Sequence, residues 1–106
     1  MTVNRGEVWM VKTPYGEKPH LVVSNQLRNR TLATVLCVRI TSSPNPPALP
    51  SVVPIEDNSG SVVGRVLCDQ IYVLEKEQLS RRISNGLTPN QMDRVCMGLR
   101  SALACL

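Results

Sequence analysis

Lys18-Pro19-His20-Leu21-Val22-Val23-Ser24-Asn25, running into Gln26-Leu27-Arg28-Asn29-Arg30, is the stretch on which the reading of this chain turns. Pro19 has no backbone donor and a fixed φ, so it suits the first residues of an exposed strand and not the middle of a sheet. Leu21, Val22 and Val23 then form the short apolar run expected of a buried strand. Residues 25–29 end that run with polar side chains. Because side chains alternate across a strand, Lys18, His20 and Ser24 share one face while Leu21 and Val23 take the other. A cation and the only histidine of the chain therefore stand two residues apart on one side of one strand.

Working outward, residues 5–12 alternate as a first strand, with Val8, Met10 and Lys12 on one side and Glu7, Trp9 and Val11 on the other. Residues 13–17 carry Pro14 and Gly16 and form a turn, which makes the first two strands antiparallel neighbours. Residues 31–41 are the longest β-like segment, and Arg39 and Thr41 share a face at its end. Arg39 sits among Leu36, Cys37, Val38 and Ile40 and has two readings. It is either an edge residue whose guanidinium snorkels to water, or a cation placed for a phosphate. Residues 42–50 contain four prolines and read as a surface loop, a candidate mobile flap. Residues 51–55 form a short edge strand, demoted by Pro54. Further strands follow over 62–67 and 71–74, read either as two strands or as one continuous through Cys68-Asp69-Gln70, with Asp69 as the one acid embedded in that run. Such a carboxylate is either satisfied by backbone donors or placed for chemistry.

Residues 75–82 read as a single helical turn and 83–87 as a connector. The last helix is the clearest element. Thr88-Pro89-Asn90-Gln91 is a capping box with proline at the first helical position. Met92, Val95, Cys96, Leu99, Ala102, Leu103 and Leu106 then recur at helical spacing as one apolar stripe. Short strands, frequent turns and one closing helix predict a mainly β, α+β domain built as a small, strongly curved barrel-like sheet.

Composition narrows the function. At 106 residues the chain is expected to be one domain, with no membrane-length apolar run and no signal-peptide core. A cytoplasmic location follows as the expectation. Net charge is +4 and nine of the twelve basic residues are arginine, a balance that favours a polyanionic partner. Only Trp9, Tyr15 and Tyr72 are aromatic, which argues against rows of stacking side chains for single strands. Cys37, Cys68, Cys96 and Cys105 lack the close pairing of a zinc site and read as buried reduced thiols, with a disulfide as the other reading.

Several of these segments, taken together and in order, resemble a known family. They are Arg5-Gly6-Glu7-Val8-Trp9, the Lys18 to Asn25 strand with Asn29-Arg30, Val38-Arg39-Ile40-Thr41-Ser42, Val66-Leu67-Cys68-Asp69-Gln70-Ile71, and the capped helix from Thr88. The resemblance, from about Arg5 to the C-terminus, is to the MazF/PemK-type toxins of bacterial toxin–antitoxin systems. It implies one toxin domain over residues 1–106, an SH3-like barrel with a C-terminal helix, and a homodimer. It further implies metal-independent, cofactor-free, sequence-selective cleavage of single-stranded RNA. The ribose 2'-hydroxyl attacks the adjacent phosphate and leaves 2',3'-cyclic phosphate and 5'-hydroxyl ends. The implied partner is a MazE-like antitoxin whose acidic, disordered tail fills the RNA groove.

Such a reaction needs a base, an acid and positive charge beside the phosphorane. The resemblance assigns these roles to Lys18, which stands where the family has an essential arginine, to Thr41 as a phosphate hydrogen-bond donor, and to Asp69 as a base. Lysine supplies charge without the bidentate fork of arginine, and Arg39, two residues from Thr41, is expected to supply the missing guanidinium. His20 is either a general acid or base beside Lys18 or a half-exposed strand histidine. RNA contacts carry over to Ser24, Asn25, Asn29, Arg30, Arg65 and Gln70, with Arg65 replacing a family arginine where this chain has Leu67. The first loop, residues 13–17, is shorter than in most relatives. The competing function is a non-catalytic toxin on the same barrel, binding a protein such as DNA gyrase, or binding RNA without cutting it.

Overall fold

The computed structural model describes residues 1–43, 47–84 and 86–104. The middle of the proline-rich loop, Asn85 of the connector, and Cys105 and Leu106 lie outside the described residues. The strands are β1 (Val8–Thr13), β2 (Gly16–Val22), β3 (Thr34–Thr41), β4 (Val52–Glu56), β5 (Val62–Glu75) and β6 (Leu79–Ser84). Two helices, α1 (Gln26–Thr31) and α2 (Pro89–Leu103), complete the chain. The strands form one curved antiparallel sheet in the order β4-β5-β3-β2-β1-β6, with β4 and β6 as its edges. This is the mainly β architecture with a closing C-terminal helix that the periodicities predict.

The apolar run in β2 does not alternate because the sheet is buried on both faces. Leu21 joins a cluster with Val8, Val38, Ile40, Val66 and the α2 residues Met92 and Val95. Val22, its neighbour, joins a second cluster on the other face with Trp9, Val11, Val35, Cys37 and Leu74. Cys37, Cys68 and Cys96 are free thiols. Burial pushes the Cys37 thiol up to about 12, and burial with help from the Asp69 carboxylate and Cys96 pushes Cys68 up to about 11. Both are inert fillers at neutral pH.

Four expectations change. Residues 25–29, read as a polar break, lead instead into α1 over Gln26–Thr31, because the Asn25 side chain accepts from the Arg28 N–H at 2.8 Å and caps the turn. Residues 79–84 are an edge strand and not part of a helical turn or connector; only Lys76–Gln78 is a 3-10 turn. Pairing with β1 overrides their helical propensity. Strand β3 starts at Thr34, since Thr31 ends α1. The α2 stripe is narrower than expected: Met92, Val95 and Gly98 are buried, whereas Ala102 and Leu103 are exposed.

Gly98 explains how closely α2 seats on the sheet. A Cβ there would lie 2.8 Å from both Cys68 Sγ and Val53 Cγ2, two buried side chains with little room to move. Gly98→Ala would gain about 1 kcal/mol of helix propensity, against about 1–3 kcal/mol of overpacking. The clash wins. Thermal melts should show Gly98→Ala less stable than wild type, and an equal or higher melting temperature would show that α2 can back away freely.

Candidate functional site: a cationic groove where two strands part

The site begins with a hydrogen bond that cannot form. Val22 N–H donates to Glu7 O on the β1 side and Val23 N–H to Leu36 O on the β3 side, so the backbone of Pro19 faces β3 by alternation. Pro19 has no N–H to give, and the β2–β3 ladder ends at His20 and Arg39. The same alternation points Ile40 O across the gap toward Pro19. Arg39 Nε donates to that carbonyl at 3.2 Å, replacing the missing partner and fixing the guanidinium at the gap. Beyond it β3 continues paired to β5 alone, through Ile40–Val66 and Thr41–Arg65.

An open groove of about 620 Å³ occupies this parting. Lys18, Arg39 and Thr41 line it together with Pro19 and Ile40. The Lys18 ammonium and the terminal guanidinium nitrogens of Arg39 have no partner among the described residues. Thr41 Oγ1 accepts from the Ser43 N–H at 3.1 Å, which leaves its O–H free to donate. Glu17 also lines the groove. Among the described residues its one ion pair, to Arg81 at 3.9 Å, is exposed and weak. Sequence reasoning passed over Glu17 as a turn residue; the available signal was a carboxylate adjacent to Lys18 at the hairpin.

The other candidates are placed differently. Cys68, Asp69 and Gln70 have no partner on β3, because the β3–β5 register jumps from Val38–Ile71 to Arg39–Leu67. This bulge turns Asp69 and Gln70 out to solvent, so within one chain neither lines the groove. Ser24 and Asn29 are buried and spent on each other: the Ser24 hydroxyl donates to Asn29 Oδ1, and Asn29 Nδ2 donates to Ser24 O at 3.0 Å. Their polar groups tie α1 to the sheet and cannot reach RNA without breaking that lock. Asn25 is spent as the α1 cap. Arg65 donates to Ser43 O at 3.2 Å on the loop after β3, and Arg30 is exposed on α1 away from the groove. Among the described residues, no cluster of three or more His, Cys, Asp or Glu side chains is placed to hold a metal.

His20 is 3% exposed, not half-exposed, and lines a separate cavity. Burial lowers its pKa below the usual histidine value; the hydrogen bond to Lys18 O opposes this and the Arg39 charge reinforces it. The fold therefore prefers neutral His20. A proton binds the unfolded chain first, so this stability is complete above about pH 6.5 and is lost as pH falls below it. His20 is the only histidine. Wild-type melting temperature should fall between pH 7.5 and 5.5, and His20→Gln should flatten that slope. Parallel slopes for the two proteins would rule out His20 as the origin.

The chain matches the family of PemK-like, MazF-like toxins of type II toxin-antitoxin systems over residues 4–103. It is 35% identical over 99 residues to Endoribonuclease MazF4 of Mycobacterium tuberculosis (strain H37Rv), spanning 93% of this chain and 90% of that protein. A solved structure described as an endoribonuclease in complex with its cognate antitoxin, from a mycobacterial species, is 34% identical. It superposes with a TM-score of 0.87 over 98% of this chain and 97% of that one. A MazE-MazF complex (Form-II) from Deinococcus radiodurans, at 20% identity and a TM-score of 0.80 over 100% and 99% of the chains, has the same fold. A curved six-stranded sheet closed by α2, the ordered motifs and these matches agree: this chain belongs to the PemK-like, MazF-like toxins of type II toxin-antitoxin systems.

Proposed function

We propose that this chain is the toxin of a toxin–antitoxin system and an endoribonuclease that cuts single-stranded RNA without a metal. The observation that carries the reading is the convergence of Lys18, Arg39 and Thr41 on one open groove, each with a hydrogen-bond donor uncommitted to the fold. A phosphodiester seated there meets two cations and a hydroxyl. These stabilise the negative charge that grows on the non-bridging oxygens as the ribose 2'-hydroxyl attacks. Glu17 is the carboxylate in reach of the groove and takes the 2'-hydroxyl proton; Lys18 or a water returns one to the departing 5'-oxygen. Atoms balance with no added water, leaving a 2',3'-cyclic phosphate and a 5'-hydroxyl.

The antitoxin supplies the acidic segment that occupies this groove when the toxin is silent, as opposite charge and an open cleft favour. A homodimer accompanies the reading. Ile71 and Val73 leave apolar surface exposed beside Asp69 on β5, a strip that a second copy would cover. Asp69 and Gln70 then act only in that assembly. Among the described residues no helix is long and apolar enough to cross a membrane; a cytoplasmic location is part of the proposed reading, because an RNA-cutting toxin meets its substrate there.

Purified protein incubated with RNA in EDTA should give fragments ending in cyclic phosphate. Lys18→Ala and Arg39→Ala should each lower kcat/KM by about 10²–10³, the scale of one lost oxyanion donor. Glu17→Gln should lower kcat more than it raises KM. Intact RNA with the wild-type protein, or cutting that persists unchanged in both cation variants, would favour a non-catalytic toxin on this fold.

A further inference from the structure

A second cavity, of about 390 Å³, shares Arg39 with the groove. This is within the size range of small-ligand sites, about 300–1,000 Å³. His20, Tyr72, Tyr15 and Gln78 line it, and the cleavage chemistry proposed above uses none of them. The chemistry of its wall is specific. His20 Nδ1 lies 3.0 Å from Lys18 O. A carbonyl can only accept, so Nδ1 carries the proton, and Nε2, which has no partner among the described residues, keeps its lone pair. The His20 ring meets Tyr72 edge-on, with centroids 5.6 Å apart and an interplanar angle of 71°. Tyr72 is half-exposed and Tyr15 stands at the exposed β1–β2 turn. Gln78 Oε1 is taken by the Glu75 N–H at 2.9 Å, which leaves its NH₂ as a donor.

The wall therefore offers an acceptor at His20, donors at Arg39, Gln78 and Lys12, and aromatic surface at Tyr72 and Tyr15. A flat, uncharged ring with both donors and acceptors on its edge matches all three. An acidic peptide would use the donors and leave the imidazole lone pair facing carboxylates. Because Arg39 lines both spaces, a phosphate in the groove and a ring in the cavity would be neighbours on one strand of RNA. We propose that this cavity binds one unpaired nucleobase beside the scissile phosphate, through stacking on Tyr72 and hydrogen bonds to His20, Arg39 and Gln78, and so selects where the RNA is cut. The inference rests on the endoribonuclease reading and assigns that site its specificity pocket.

The test is to cut random-sequence RNA with wild type, Tyr72→Ala and Tyr72→Phe and sequence the ends. Steady-state kinetics follow on a short oligonucleotide carrying the preferred site. Tyr72→Ala should lose base preference at one position next to the cut and raise KM about tenfold, the scale of one lost stack. Tyr72→Phe should keep both. Tyr15→Ala, at the exposed turn, should weaken preference at the same position, and it stands in should Tyr72→Ala not fold. Cutting by the variants with an unchanged base profile and KM would overturn the base pocket while leaving the endoribonuclease reading in place. Wild-type protein that cuts no RNA would end that reading, and the pocket with it. If Tyr72→Ala alters affinity for an acidic antitoxin peptide but not the cut-site profile, the cavity belongs to a protein partner and the proposal fails.

Discussion

One absent amide hydrogen organises this molecule. Were residue 19 able to donate to Ile40 O, β2 and β3 would stay paired toward the hairpin and the space between them would close. Proline forbids it, and the orphaned carbonyl recruits the guanidinium of the next-door Arg39. The parting of the strands and the placement of a cation in it are thus two results of the same missing donor. Lys18 and Glu17 on one lip and Thr41 on the other follow from continuing each strand past the break.

The groove stays open because the rest of the sheet is held firmly. Both faces of β2 and β3 pack into apolar clusters, so neither strand can slide by one residue without exposing a buried set. Polar side chains near the strand ends reinforce this. Glu7, 3% exposed, accepts hydrogen bonds from the Asn4 backbone and side chain, Trp9 Nε1 and Arg82. Burial alone would raise its pKa, but these donors outweigh burial and hold the carboxyl below its usual range. The Ser24–Asn29 pair does the same for α1. Residues that look reactive in a strand motif are here structural fasteners, and the free donors lie where the ladder has ended.

Much of this was legible from local signals. The alternation within residues 5–12, the proline before the apolar run and the capping box at Thr88 each depend on neighbours within a few positions, and an element formed at each, although β1 occupies Val8–Thr13 and not the full expected span. The failures share a cause. Six residues of α1 are too few for a periodic stripe, and only the Asn25 cap betrays the helix. Residues 79–84 have ordinary helical propensity and become a strand because β1 has an unpaired edge to offer. Gly98 looks like a weak spot in a helix until Cys68 and Val53 are found against it.

For the site, the amino-acid sequence by itself determined the chemical inventory and its phase: Lys18 and His20 on one side of a strand, Arg39 and Thr41 on one side of another, and a net positive charge seeking an anion. Only the tertiary structure decided which of these meet. Strand alternation is a local property, whereas register and bulges are settled between segments thirty residues apart. So Glu17 entered the groove, His20 turned to a separate cavity against Tyr72, and a three-residue bulge carried Asp69 out to solvent.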